Sequence, residues 1–274
     1  MTKKIAIQGI EGSNHYKVVN DYISGKHELL CFDEFRRLCH SVAENVADFG
    51  IMAIENSIAG SILPNYRLLS EFNLHISAEY YLNIHHNLVA LKGQAIDEIK
   101  EVRSHQMALL QCGDFFEQHP HLKLIEDTDT ALPARQIAQN QKFRVAALVP
   151  DGTAELFGLE VIEPHVHDHN LNSTRFVKVE KQLLQDTSNL DKASIKFELK
   201  HEPGALFKVL QILNSAQINM TKIQSVPLQR SKWTYAFFMD IVFENYGIFR
   251  NILDELESTT QNFKILGHYK QAKK

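Results

Sequence analysis

An α/β protein carrying a second, ferredoxin-like unit at its C-terminal end is what three features of this 274-residue chain predict. Short apolar runs alternate with helical patterns over the first 180 residues, a polar and weakly periodic stretch occupies 181–191, and a βαββαβ order follows it. The length suffices for two domains with sizeable cores, which we place at 1–180 and 193–274.

Taken in order, Ile5-Ala6-Ile7 reads as a short strand. It feeds a turn at Gly9-Ile10-Glu11-Gly12, with Ser13 placed to cap the next helix. The turn lacks the lysine of a P-loop and the third glycine of a dinucleotide fingerprint. Phe49 to Ile54 reads as a buried strand ending at Glu55-Asn56-Ser57, and Val102-Arg103 and Val145 to Leu148 as further strands running into polar turns. Strands alternating with helices predict a largely parallel sheet, and ligands of such sheets collect where strands end. Beyond the polar stretch, Ser194 to Leu199 alternates as a strand. Pro203-Gly204 then opens a helix with Leu206, Val209, Leu210 and Leu213 on one face. Strands around Ile218 to Val226 and Trp233 to Phe243 follow, joined by a turn near Gln229-Arg230-Ser231. A helix bearing Phe249, Ile252, Leu253 and Leu256 precedes the last strand, Phe263 to Tyr269.

Composition narrows the function. With 29 Lys+Arg against 33 Asp+Glu the formal charge is −4, and no long run of one sign occurs, which argues against nucleic-acid and anionic-membrane partners. Cys31, Cys39 and Cys112 include no CxxC pair, so free thiols in a reduced compartment are expected, with Cys112 a buried bystander. The N-terminus has too short an apolar run for a signal peptide, and no stretch approaches a spanning helix. A cytoplasmic protein is expected.

Three separated stretches carry the chemistry: Glu55-Asn56-Ser57 with Gly60, Ser104-His105 with Gln111-Cys112, and Asn172-Ser173-Thr174-Arg175-Phe176. Each crowds neutral hydrogen-bond donors at a strand end or helix start, where backbone N–H groups and a helix dipole hold small anions. Taken singly, each has a structural alternative. Glu55 reads as a helix cap as well as an acid, Asn56 and Ser57 as turn formers, Gln111 as a solvated helix residue and His105 as a cap. Arg175 reads as an ion-pair anchor or as a bidentate grip on a carboxylate. The run His165-Val166-His167-Asp168-His169 looks like a metal clip but lacks a zinc-helix context and a cysteine pair, so no metal is expected.

In order and spacing these motifs resemble those of prephenate dehydratases, and the tail from Gly204-Ala205-Leu206 resembles the regulatory ACT domain of the same enzymes. The resemblance covers nearly the whole chain. It implies a two-lobed catalytic domain built like a periplasmic binding protein, and conversion of prephenate to phenylpyruvate with loss of water and carbon dioxide. No cofactor is implied. It places Thr174 at the leaving hydroxyl. For the same reaction Asn56 and Gln111 are suited by their amides to grip hydroxyl or carboxylate oxygens, Glu55 to supply or orient the proton, and Ser13, Ser57 and Ser104 to hold anions, with Arg175 and Phe176 as further substrate-binding candidates. L-phenylalanine is implied as effector through Gly204, Ala205, Leu206, Asn219 and Ser225, within a homo-oligomer, a dimer or a dimer of dimers.

The chain departs from the family pattern at several points. Ser13-Asn14-His15 stands where an aromatic and then a hydroxyl residue are usual, and Gln106-Met107 where proline and glutamine are. Leu148-Val149-Pro150-Asp151 occupies a place where small residues and serine are common, and Gln224-Ser225-Val226-Pro227 replaces Glu-Ser-Arg-Pro. The last change predicts weaker effector binding, restored by Val226→Arg if the missing charge is the cause. Arogenate is the nearest competing substrate, and a non-catalytic small-anion sensor the reading from another class.

Overall fold

The computed structural model describes residues 2–228 and 235–273, so the turn expected near Gln229-Arg230-Ser231 and the expected strand start at Trp233 lie outside the described residues. Ile5, Ala6 and Ile7 fall in the strand Lys3–Gln8, fully buried. A run apolar at every position needs cover on both faces. Ile5 and Ile7 pack with Val18 and Val19 of the helix Asn14–Tyr22, whereas Ala6 packs with Leu38 and Val42 of Phe35–Ala43.

This strand lies between two parallel neighbours, His27–Phe32 and Phe49–Asn56. Ser173–Glu180 then pairs antiparallel with Phe49–Asn56 and with His75–Asn83. A separate five-stranded sheet forms the second lobe, in the order Glu160–Glu163, Asn87–Ala90, Val145–Val149, Glu101–His105, Lys123–Asp127. Its last three strands run parallel and its first two antiparallel to their neighbours. Both sheets are therefore mixed, which corrects the expectation of a largely parallel sheet. The antiparallel strands are those by which the chain leaves or enters a lobe, at 84–86 and 164–172. A strand arriving from the other lobe has no covering crossover helix to make it parallel.

The C-terminal strands Lys192–Glu198, Asn219–Pro227, Tyr235–Val242 and Gln261–Tyr269 form an antiparallel sheet with Asn219–Pro227 at its edge. Helix Ala205–Ser215 covers one face with Val209 and Leu213. The second expected helix is present as two, Tyr246–Asn251 and Leu253–Thr259. The other face of the sheet packs Val226, Ala236 and Phe238 against Tyr66 and Leu69 of Leu63–Glu71 in the first lobe. Gly267 pairs with Ile76, and a Cβ there would collide with the Ile76 carbonyl, so glycine is what lets the two sheets join into one of ten strands.

Candidate active site

A cavity of about 400 Å³ lies between the lobes, and Ser13, His15, Asn56, Gln111, Asp129, Thr174 and Phe176 line it. Ser13 caps helix Asn14–Tyr22, its Oγ accepting from the Tyr16 N–H at 3.3 Å. Behind it, His15 is buried, and its Nε2 accepts the Ala53 N–H at 3.3 Å, which leaves the ring proton on Nδ1. Burial pushes the His15 pKa down to about 3, so the ring is a neutral donor at ordinary pH. The His15 and Phe176 rings stand perpendicular at a centroid distance of 5.0 Å.

One hydrogen-bonded chain unites the three sequence motifs. Asn56 Nδ2 donates to Thr174 Oγ1 at 2.9 Å and to Asn172 Oδ1 at 2.7 Å. Asn172 Nδ2 donates to Gln111 Oε1 at 2.8 Å, and the same oxygen accepts from His86 Nε2 at 2.9 Å. The carbonyl of Asn56 is also occupied, accepting from the N–H groups of Ile58 and Ala59. Asn56 is thus saturated and fixes Thr174, whereas Gln111 keeps its amide hydrogens for other partners. Because Thr174 Oγ1 already accepts one bond, its O–H is free to donate.

The neighbours of these residues lie elsewhere. Successive side chains of a strand point to opposite faces. Glu55, Ser57 and Arg175 accordingly line a second, larger cavity of about 880 Å³ on the side of the C-terminal unit. Glu55 pairs there with Lys222 at 2.9 Å and approaches Arg175 at 3.7 Å. Ser57 Oγ donates to the Leu171 carbonyl at 2.9 Å. Arg175 is buried and committed: it pairs with Glu79 at 2.7 Å and with Asp240, and donates to the Tyr269 hydroxyl at 2.8 Å. Of the two readings left open, ion-pair anchor and carboxylate grip, the geometry matches the anchor.

Ser104 is fully buried and donates to the Leu148 carbonyl at 2.8 Å, stitching two strands without lining the cleft. His105 caps the next helix by accepting the Met107 N–H. Cys112 is buried and its thiol is pushed up to about 12, which makes it inert. In the C-terminal unit Gly204 has a left-handed φ of +80° at the helix start, and Ala205 and Leu206 line a hollow of about 170 Å³ with Tyr235 and Phe237. Asn219 and Ser225 sit exposed on the edge strand outside that hollow. Val226 is buried in the interface core, so the replaced effector motif does not present that position to a ligand.

Sequence reasoning passed over His86 and Asp129, and met His15 only as a departure from the family pattern. His86 carries no local signal. Asp129 did carry one, since an Asp ahead of Leu132-Pro133 marks a helix start, and it accepts the N–H groups of Ala131 and Leu132. Burial raises its pKa, though those backbone donors act in the opposite direction. Among the described residues lining the cleft there is no Lys or Arg, so an anion there would be held by neutral groups.

The prephenate dehydratase family model matches residues 5–183, and the ACT domain model residues 193–245. The chain is 32% identical over 279 residues to arogenate dehydratase/prephenate dehydratase 2, chloroplastic, of Arabidopsis thaliana, covering 97% of this chain and 72% of that one. It is 33% identical to the prephenate dehydratase of Methanocaldococcus jannaschii, with 91% and 90% covered. It spans 62–63% of two bifunctional chorismate mutase/prephenate dehydratases. Among solved structures, GqqA, described as a novel type of quorum quenching acylase, superposes with a TM-score of 0.86 at 27% identity over 98% of both chains. An Arthrobacter aurescens prephenate dehydratase in complex with L-Phe has the same fold, with a TM-score of 0.87 at 23% identity, covering 98% of this chain and 90% of that one. No helix among the described residues is long and apolar enough to cross a membrane.

Proposed function

The chain belongs to the prephenate dehydratase family, and we propose that it converts prephenate to phenylpyruvate in the cleft between its lobes. The ring carboxylate leaves as carbon dioxide, its electron pair aromatises the ring, and the ring hydroxyl departs with one proton as water. The observation that carries this reading is the Asn56–Thr174 hydrogen bond of 2.9 Å, which occupies an acceptor site of Thr174 and leaves its O–H to donate to the departing oxygen. A threonine hydroxyl is too weak an acid to act alone near neutrality, so Thr174 relays a proton or stabilises the leaving group. Asp129, whose pKa burial raises, is the one carboxyl among the described residues lining the cleft, and in this reading it supplies that proton, a role Glu55 is badly placed to fill. Gln111, the Nδ1–H of His15 and the capped helix start at Ser13 are the neutral donors for the two carboxylates.

L-phenylalanine is the effector we assign to the C-terminal unit, through Gly204, Ala205 and Leu206. The aromatic hollow with Tyr235 and Phe237 supports it. Asn219 and Ser225 are not assembled with that loop within one chain, which ties regulation to pairing. The edge strand Asn219–Pro227, which among the described residues pairs on one side alone, supports at least a homodimer, and the free cysteines a cytoplasmic location. Acyl transfer of the kind named for GqqA needs an activated nucleophile. Cys112 is inert, Ser104 is buried away from the cleft, and among the described residues no hydrogen bond joins the cleft hydroxyls of Ser13 or Thr174 to a histidine or carboxylate that would activate them.

The test is incubation of the full chain with prephenate, following phenylpyruvate at alkaline pH, with arogenate in parallel. Turnover of prephenate is expected. Preference for arogenate would move the assignment to arogenate dehydratase, and binding of either compound without turnover would make the protein a sensor.

A further inference from the structure

We propose that this chain binds one divalent transition-metal ion where its two connecting segments cross, held by His85, Asp151 and His165. His85 lies in the segment leaving the first lobe, His165 in the returning segment, and Asp151 just after Val145–Val149 of the second lobe. One donor atom from each lies within 4.8 Å of the others. His85 Nδ1 is 2.8 Å from Asp151 Oδ2, and His165 Nε2 is 3.5 Å from Asp151 Oδ1. Ligand atoms about 2.0–2.1 Å from a tetrahedral ion stand roughly 3.3 Å apart, so these spacings bracket the need and a small opening admits the ion.

The surroundings hold these groups in place as a metal site requires. Asn87 Nδ2 donates to Asp151 Oδ1 at 2.8 Å, and Asn87 Oδ1 accepts the His165 N–H at 3.1 Å, so one amide orients two ligands. To make that contact, His165 adopts a left-handed φ of 51°. His167 stacks on the His85 ring at 5.3 Å and 16°. Two imidazoles and one carboxylate, with the remaining position left to water, suit Zn²⁺, Co²⁺, Ni²⁺ or Cu²⁺; Mg²⁺ and Ca²⁺ prefer oxygen ligands throughout. On binding, the His85 proton moves from Nδ1 to Nε2, and the bond to Asp151 is replaced by two bonds to the ion. Lys17, which lines the same cavity, is paired with Asp21 at 3.0 Å. His85 and Asp151 open onto the larger cavity and not the Thr174 cleft, so the ion takes no part in the chemistry. It would fasten both connecting segments to the second lobe.

The experiment is calorimetric titration of the chelator-treated 274-residue chain with Zn²⁺, with Co²⁺ absorption reporting the ligand geometry. Saturable binding of about one equivalent is expected, with a tetrahedral Co²⁺ spectrum. Asp151→Asn and His165→Ala should each abolish it. The His165 side chain is 57% exposed, so its loss leaves the fold intact, which circular dichroism verifies. Asn87→Leu should weaken binding about 10- to 100-fold, and His121→Ala, at an exposed site elsewhere, should change nothing. Absence of saturable binding overturns the proposal, as does binding that survives both Asp151→Asn and His165→Ala.

Discussion

Replacing Asp240 by Asn tests whether the residue beside Thr174 anchors the catalytic lobe to the C-terminal unit. Arg175 and Lys192 supply two positive charges to a buried cluster in which Glu79 and Asp240 supply two negative ones. The substitution keeps the shape of the side chain and an acceptor for Ser194, but leaves the cluster one positive charge in excess. Breaking a buried ion pair by removing one partner typically costs about 3–5 kcal/mol, because the surviving charge stays desolvated. For a domain of this size that corresponds to a fall of roughly 6–20 °C in melting temperature. Burial alone would raise the Asp240 pKa, but Arg175, Ser194 and Lys192 outweigh it and the net shift is downward. A depressed carboxyl stabilises the fold above its unfolded pKa, about 3.9, and that stability is lost as pH falls through the lower folded value. Wild type should therefore exceed Asp240→Asn near neutrality, and the gap should close in acid. Calorimetry across pH, with kcat measured on the same samples, reads both effects; kcat should fall because Arg175 fixes the strand that carries Thr174. A melting temperature within about 1 °C of wild type at pH 7 would refute the anchoring argument.

Thr174→Ala should lower kcat by about 10²–10³ with little change in KM, as removal of a single transition-state donor does, and steady-state kinetics on a folded variant will tell. Because the buried His15 titrates near 3 when folded and about 6.5 when unfolded, it makes the unfolded state bind more protons between those values, so stability falls as pH drops through that window. His15→Gln should flatten this part of a stability-against-pH curve measured by denaturant unfolding. Val226→Arg should destabilise the protein by about 1–3 kcal/mol or more rather than strengthen the response to L-phenylalanine, since the position is 2% exposed. A titration of activity against L-phenylalanine alongside a melting curve separates the two outcomes.

Much of the fold was legible because local patterns agreed with tertiary need. The unbroken apolar run Ile5-Ala6-Ile7 called for cover on both faces and has it, and the cap at Ser13 forms as its position suggested. The mixed character of the sheets was not legible, since strand direction is set by where the chain crosses between lobes and not by the residues of the strand. Nor was the role of His86, which has no motif around it and reaches Gln111 only because residues 84–86 form a crossing.

The candidate site was half legible, for a reason that also bears on regulation. Glu55-Asn56-Ser57 and Thr174-Arg175-Phe176 look like single units in sequence, yet each lies on or beside a strand, where the side-chain period is two. Thr174 and Phe176 therefore face the cleft, Glu55, Ser57 and Arg175 face the second cavity, and Asn56, at the strand end, borders both. Lys222 and Asp240, the partners of Glu55 and Arg175, belong to the C-terminal sheet. A rearrangement of that sheet which drew Asp240 and Lys222 away would unbalance Arg175 and Glu55, and each is bonded covalently to a residue of the Asn56–Thr174 pair. Coupling across these two strands would need no longer pathway than one peptide bond, with the charged member of each motif kept out of the cleft that we propose as the site of the chemistry.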